Sequence, residues 1–84
     1  MSRYRICYSP EAEHGLAALG PAVRGQVKNR IADRIGRDPY GKGSDPVRGD
    51  KDLRTAAIGP FVVIHYRVHG GQLLITVVRA VAPW

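Results

Sequence analysis

Four short stretches of the chain predict β-strands: in the first, residue types alternate, and the other three are strand-like apolar runs, the last two rich in β-branched and aromatic residues. The stretches are Tyr4–Tyr8, Leu53–Ile58, Phe61–Val68 and Gln72–Ala82. Gly59-Pro60 and Gly70-Gly71 separate the last three stretches and mark tight turns. These three strands are therefore predicted to form an antiparallel meander, to which the first strand can be added.

Between the first and second of these strands, apolar residues recur at helical spacing. Ser9-Pro10-Glu11 predicts a helix start, because serine can cap, proline fits the first helical position and glutamate suits the positive end of the helix dipole. The apolar stripes are Ala12, Leu16 and Leu19 and, after a break at Gly20-Pro21, Val23, Val27, Ile31 and Ile35. Two amphipathic helices with so short a break predict a helical hairpin.

The predicted element order is β-α-α-β-β-β, which defines one α+β domain over residues 1–84. The helical hairpin covers one face of an antiparallel sheet. The other face stays open, because no further element remains to cover it. The stretch Tyr40–Asp52 is rich in glycine, proline and charged residues and is predicted to be a long polar loop, a kind of segment that is often functional.

Side chains of the third predicted strand alternate between the two faces of the sheet. Its apolar set is expected to face the helices: Val62, Ile64, Tyr66 and Val68. His65 and Arg67 then lie on the open face. We expect Arg79 of the last strand on the same face, because a charge beneath the helices would need a buried partner.

Further basic residues surround this open face. Arg54 in the second predicted strand is a candidate fourth member, and the preceding loop carries Lys42, Arg48 and Lys51. The whole chain has 13 Lys+Arg against 7 Asp+Glu, a net charge of +6. Arginine binds phosphate through two parallel hydrogen bonds, so a nucleic acid is a candidate partner for this surface. An acidic protein would explain the positive charge equally well.

Several classes of protein are not supported by the residues. With Cys7 as the only cysteine, no intrachain disulfide can form, which favours a reducing, cytoplasmic setting. No signal peptide precedes the first strand, and the apolar runs are too short to cross a membrane. The histidines are scattered without metal-ligand spacing and no phosphate-binding motif is present, so neither a metal nor a cofactor is expected.

Three segments together resemble the RelE/ParE superfamily, the toxins of bacterial type II toxin–antitoxin pairs. The first strand running into YSPEAEHGLAAL is similar to the start of these proteins, DPYGKGSDPVRGDKDLRTAAIGPFVVIHYRV to their centre and LLITVVRAV to their last core strand. The resemblance covers nearly the whole chain through element order and scattered positions. It implies a cytoplasmic toxin held inactive by a cognate antitoxin, with operator DNA contacted only through that antitoxin.

RelE-like members cut messenger RNA on the ribosome, whereas ParE-like members inhibit DNA gyrase, and the shared fold does not separate these activities. For a ribonuclease, the resemblance and the open-face chemistry together make Arg54, His65 and Arg79 the catalytic candidates. His65 is the only acid or base on that face suited to neutral pH, and the arginines would offset transition-state charge. The remaining basic residues would bind RNA: Lys42, Arg48, Lys51 and Arg67.

Two departures from the superfamily pattern keep other functions open. The arginine usual before the Val-x-Tyr motif of the third strand is replaced by Phe61, Val62 or Val63, depending on the alignment. This departure fits a gyrase inhibitor with no chemistry of its own. The usual C-terminal extension is not seen after Trp84, which fits a non-toxic member that acts with its antitoxin on operator DNA.

Overall fold

Five strands form one sheet, and two helices pack against one of its faces. The computed structural model describes residues 4–41, 43–59 and 62–80. The elements are β1 (Arg5–Tyr8), α1 (Pro10–Ala17), α2 (Pro21–Arg30) followed by a π-helical turn (Ile31–Ile35), β2 (Ser44–Val47), β3 (Asp50–Ile58), β4 (Val62–His69) and β5 (Gln72–Ala80). The strand order is β1-β5-β4-β3-β2, and the predicted α+β fold is confirmed.

The core fills the space between the helical hairpin and the sheet. Its most deeply buried side chains come from both layers: Leu16, Ile31, Ile64, Tyr66, Leu73 and Ile75. Removing this apolar surface from water is the main stabilising contribution to such a fold. Within the described ranges, no helix has the length and apolar character needed to span a membrane.

Helix α1 begins as predicted and packs unusually close to the sheet. The Oγ of Ser9 accepts a hydrogen bond from the backbone N–H of Ala12 at 3.0 Å, which caps the helix. A Cβ built on Gly15 would lie 2.1 Å from the carbonyl oxygen of Val78 in β5. Only glycine permits this contact, so Gly15 sets the distance between α1 and the sheet.

A wider, π-helical turn ends the second helix. The apolar residues of this helix, from Val23 to Ile35, are spaced four apart. Because an α-helical turn has 3.6 residues, the apolar stripe drifts around the helix. At the π-helical turn the N–H of Gly36 donates to the carbonyl of Ile31 at 2.8 Å, and the extra width offsets the drift and keeps Ile31 and Ile35 buried. At the other end nothing offsets it, and Val23 is 44% exposed.

The predicted loop Tyr40–Asp52 contains a strand, β2, and the start of β3. A turn with Arg48 (φ 54°) and Gly49 (φ 78°) joins the two strands, and both values suit a tight hairpin turn. The composition of the segment, including Pro46, argued against a strand. Proline is tolerated here because β2 is at the edge of the sheet.

The additional strand also changes how β1 joins the sheet. β1 pairs with β5 in parallel, with Ile6 beside Leu73 and Tyr8 beside Ile75. The sequence left the direction of β1 open, and the structure shows that β1 is parallel to β5 while the meander is antiparallel. Each strand of the meander reverses the chain, and β2 adds one reversal that was not predicted, so β5 runs in the direction of β1.

A β-bulge divides β5 into two halves of different phase. The pairing with β4 leaves Thr76 without an opposite residue, and its carbonyl accepts a hydrogen bond from the Oγ of Ser9 at 2.9 Å. Strict alternation would have placed Ile75 and Arg79 on the same face. The extra residue lets Ile75 and Val78 point into the core while Arg79 stays exposed on the open face. The expected position of Arg79 is confirmed.

Candidate functional site

The face of the sheet away from the helices carries a shallow depression. Val63, His65, Val77 and Arg79 line it, and its volume is about 300 Å³. Val63 lies opposite Arg79 and His65 opposite Val77, so the four side chains occupy neighbouring positions on the β4–β5 ladder. Two aliphatic side chains and two nitrogen-bearing ones therefore share one surface.

His65 occupies a half-buried position in a row that crosses four strands. Its neighbours on either side are Thr55 of β3 and Val77 of β5, and Asp45 of β2 lies beyond Thr55. The Oγ1 of Thr76 donates to the carbonyl of His65 at 3.3 Å, which ties the histidine backbone to the bulge. The imidazole of His65 can accept or donate a proton, and it borders the depression that Arg79 also lines.

Arg67 continues the open face along β4, as predicted. Residues two apart on a strand share a face at a spacing of about 7 Å, so Arg67 follows His65 at that interval. Its Nη1 lies 3.8 Å from Oδ2 of Asp50, and both side chains are about half exposed. Arg67 is therefore partly neutralised, whereas Arg79 at the other end of the face has no ion pair within the described ranges.

Arg54 lies on the opposite face of the sheet, so its predicted place beside His65 is wrong. It is 7% exposed and lies opposite Tyr66, on the core side. Its guanidinium donates to the Oγ and the carbonyl of Ser44, both at 3.1 Å, and to the carbonyl of Lys51 at 3.0 Å. The sequence argument did not foresee that a hydroxyl and backbone carbonyls would supply the partners that a buried cation needs.

These hydrogen bonds belong to a cluster that fixes the chain just before β2. The hydroxyl of Tyr66 donates to the carbonyl of Pro39, and the Oγ of Ser44 lies 2.9 Å from the carbonyl of Gly41. Arg54 then holds Ser44 from the sheet side. The cluster connects the central strand β4 to the segment that leads into the β2–β3 hairpin.

Tyr40 lies on the solvent side of this cluster, next to Arg54. Its hydroxyl donates to Oδ1 of Asp52 at 2.7 Å, and its ring centre lies 5.4 Å from the guanidinium carbon of Arg54. The hydrogen bond to the carboxylate is lost when the phenol ionises. It therefore raises the pKa of Tyr40 from its ordinary value of 10.0 to about 12, with smaller contributions from burial and from the charge of Asp52.

Two basic residues of the predicted loop, Arg48 and Lys51, do not line the depression. Arg48 occupies the β2–β3 turn and Lys51 follows it, and both are exposed. Lys42 lies outside the described residues. The hairpin that carries Arg48 and Lys51 meets the open face at its Arg67 end, through Asp50, whereas His65 and Arg79 lie together further along the sheet.

Sequence reasoning missed three polar side chains near the site: Ser44, Asp45 and Asp52. Ser44 and Asp52 hold the loop, and Asp45 is exposed in the row of His65. The Arg48-Gly49 pair was the signal for a hairpin, but regular pairing from that turn would place Asp45 opposite Asp52. A register shift between Pro46 and Val47 places it beside Thr55 instead. Among the described residues, no group of three or more His, Cys, Asp or Glu side chains could hold a metal ion.

Comparison with known proteins gives a match at the level of structure. No protein-family model matches the sequence, and no curated protein matches it either. A chain of the RelBE2 toxin–antitoxin complex from Mycobacterium tuberculosis superposes with a TM-score of 0.83 at 21% identity, over 99% of this chain and 97% of that one. The YoeB/ParE toxin from Agrobacterium tumefaciens gives 0.70 at 19% identity, over 93% and 99% of the two chains.

A third comparison is with the E. coli DinJ–YafQ toxin–antitoxin complex. Its TM-score is 0.62 at 16% identity, over 93% of this chain and 92% of that one. The class of protein is thus a small α+β domain whose helical hairpin leaves one face of the sheet uncovered. Its fold is the RelE-like toxin fold shared by RelBE2, YoeB and YafQ, which confirms at the level of fold the resemblance found in the sequence.

Proposed function

We propose that the protein is the toxin of a type II toxin–antitoxin pair and that it cleaves messenger RNA on the ribosome. The observation that carries the proposal is the grouping of His65 with Arg79 in one depression on the uncovered face of the sheet. Proteins of the same fold occur in the RelBE2 and DinJ–YafQ toxin–antitoxin complexes, which supports an antitoxin as the partner of this chain.

The depression supplies the groups that such a cleavage needs. The ribose 2′-OH attacks the adjacent phosphorus, and the bond to the 5′ oxygen of the next nucleotide breaks. His65 accepts the proton of the 2′-OH while water protonates the leaving 5′ oxygen, or it protonates the leaving oxygen while water accepts the 2′-OH proton. In either case the products are a 2′,3′-cyclic phosphate and a 5′-OH. Arg79 remains cationic and offsets the charge that develops on the phosphate oxygens, and Arg67 binds the neighbouring backbone.

Arg54 has a different part in this proposal. Because its guanidinium is engaged with Ser44 and Lys51, it acts as a positioning residue that fixes the segment before β2. It does not contact the phosphate. An Arg54→Ala variant that loses toxicity would therefore report lost structure as readily as lost chemistry, so it does not test the proposal.

Induced expression of the protein in a bacterial host tests the proposal. The wild type is expected to stop growth and to produce new 5′ ends within translated codons, mapped by primer extension. His65→Gln and Arg79→Ala should each lower cleavage by about two orders of magnitude without changing thermal unfolding, because both side chains lie outside the core. Arg30→Ala, on α2, is the control that should remain toxic.

A gyrase supercoiling assay on the same cultures separates the other functions. Intact RNA with lost supercoiling would contradict the nuclease and identify a gyrase inhibitor. Normal growth with neither effect would contradict the toxin role altogether. Retained cleavage in both open-face variants would show that the chemistry lies elsewhere in the chain.

A further inference from the structure

The row of residues that contains His65 ends on a carboxylate. Asp45 of β2 lies opposite Thr55, and Thr55 lies opposite His65, so all three side chains are on the open face. Neighbouring strands lie about 4.8 Å apart, which puts the backbone of Asp45 about 10 Å from that of His65. An acidic side chain therefore borders a face that otherwise carries His65 and two arginines.

Asp45 differs from the other two carboxylates of the β2–β3 hairpin in its surroundings. Asp50 lies 3.8 Å from Arg67, and Asp52 accepts a hydrogen bond from Tyr40. Within the described residues, the side chain of Asp45 takes part in no ion pair and no hydrogen bond, and it is exposed. Its carboxylate can therefore accept hydrogen bonds from a ligand on the open face.

The surface between Asp45 and His65 is small and largely apolar. Thr55 forms its centre, and the Oγ1 of Thr55 already donates to a backbone carbonyl of β4 at 3.1 Å. Leu53 and Ala57, two residues away on either side, are on the same face of β3. A flat nucleobase can lie against such a surface, because it removes the apolar groups from water.

We propose that Asp45 is a specificity-determining residue, which selects RNA bases that carry an amino group and disfavours uracil. The inference rests on the proposed function, since it takes the scissile phosphate to lie between His65 and Arg79. The base of a nucleotide bound there can extend across Thr55 to Asp45. An ionised carboxylate only accepts hydrogen bonds, so it pairs with the amino group of cytosine, adenine or guanine. The pairing edge of uracil carries two carbonyl oxygens, which the carboxylate repels.

The strand order separates this role from proton transfer. A carboxylate that exchanged a proton with the reacting groups would have to reach the phosphate that Arg79 binds. Arg79 is on β5, three strand spacings from β2, or about 14 Å. Asp45 is therefore expected to contact the base and not the reacting atoms.

Binding of two labelled RNA octamers, oligocytidylate and oligouridylate, tests the assignment on the isolated protein. The wild type should bind the cytidine octamer about tenfold more tightly than the uridine octamer. Asp45→Asn should bring this ratio close to one, because an amide can accept from cytosine and donate to uracil. Asp33→Asn removes the same charge from the π-helical turn and should leave the ratio unchanged. Thermal unfolding of both variants should match the wild type, since both carboxylates are exposed.

The cleavage sites mapped in the bacterial host give a second measurement. Uridine should become more frequent beside the 5′ ends that Asp45→Asn produces, compared with those of the wild type. Asp33→Asn should reproduce the wild-type distribution of bases.

Two results would overturn the inference. The first is a ratio of octamer affinities that is the same in the wild type and in Asp45→Asn. The second is loss of cleavage in Asp45→Asn at cytidine and uridine sites alike, which would place the carboxylate among the reacting groups.

Failure of the proposed function would look different. RNA left intact by the wild type, with an octamer ratio that depends on Asp45, would contradict the nuclease and leave base selection in place. Mapped cleavage with a ratio independent of Asp45 would contradict base selection alone.

Discussion

Two arginines of this chain lie in opposite surroundings, one buried among hydrogen-bond acceptors and one exposed on the open face. Arg54 is buried, and three of its hydrogen bonds end on atoms of Ser44 and Lys51. Arg79 is exposed in a depression with His65. The sequence shows both as arginines within strands and cannot separate them, because the acceptors of Arg54 are mainly backbone carbonyls of a segment whose path only the structure shows.

Replacing Arg54 with alanine is expected to lower the free energy of unfolding by about 2–3 kcal/mol, since it removes hydrogen bonds of a charged group and leaves carbonyls without a donor. The comparison is Arg67→Ala, which removes a half-exposed ion pair and should cost well under about 1 kcal/mol. Urea denaturation of both variants measures the difference. Equal losses would contradict the structural role of Arg54.

The hydrogen bond from Tyr40 to Asp52 predicts a dependence of stability on alkaline pH. Because folding raises the pKa of Tyr40 from 10.0 to about 12, its contribution is complete below pH 10.0 and is lost as the pH rises to about 12. The difference in phenolate absorbance between wild type and Tyr40→Phe isolates this tyrosine. Its midpoint should lie near 12 and fall towards 10.0 in Asp52→Asn, and an unchanged midpoint in that variant would exclude the carboxylate as the cause.

At the scale of elements, the sequence predicted what depends on local chemistry. The Ser9 cap, the break at Gly20-Pro21 and the strands around Gly70 follow from short-range preferences, and the structure has them. β2 was missed because the edge of a sheet tolerates residues that a central strand does not, and only the topology identifies the edge. The bulge at Thr76 was missed because it is a matter of pairing between strands.

Replacement by alanine should have opposite effects on stability at two helical glycines, because the added methyl group meets β5 at Gly15 and nothing at Gly25. Gly15→Ala is expected to lower the free energy of unfolding by about 3 kcal/mol, because its Cβ would meet the carbonyl of Val78. Gly25→Ala in α2 meets nothing within 4 Å and should raise it by about 0.5–1 kcal/mol. Thermal or urea unfolding of the two variants checks both. A stable Gly15→Ala protein would show that α1 can move away from the sheet.

For the whole molecule, the distribution of charge matters more than its total. The net charge of +6 comes from both sides of the sheet, including α2, so charge alone does not identify a binding face. The alternation of β4 identified the open face as the candidate, since it separates His65 and Arg67 from the core-facing residues. It could not show that Arg67 is paired with Asp50 or that Arg54 lies on the other side.

If single-stranded RNA binds to the open face, its affinity should depend on salt through the arginines of that face. Arg67→Ala and Arg79→Ala should each reduce the slope of log affinity against log salt by about 0.7, the value for one lost phosphate contact on a single strand. Arg30→Ala, on the helix side, should leave the slope unchanged. Titration of a labelled oligonucleotide at several salt concentrations measures all three, and an equal effect of Arg30→Ala would place the binding elsewhere.

The extra residue at Thr76 has a consequence for how this chain can diversify. The bulge resets the alternation of β5, so Ile75 before it and Val78 after it both point into the core although they are three residues apart. Val77 and Arg79 lie on the open face and do not contribute to the core. Selection can then change Val77 or Arg79 without disturbing Ile75 or Val78. A family built on this strand can alter what its surface recognises while its interior stays the same.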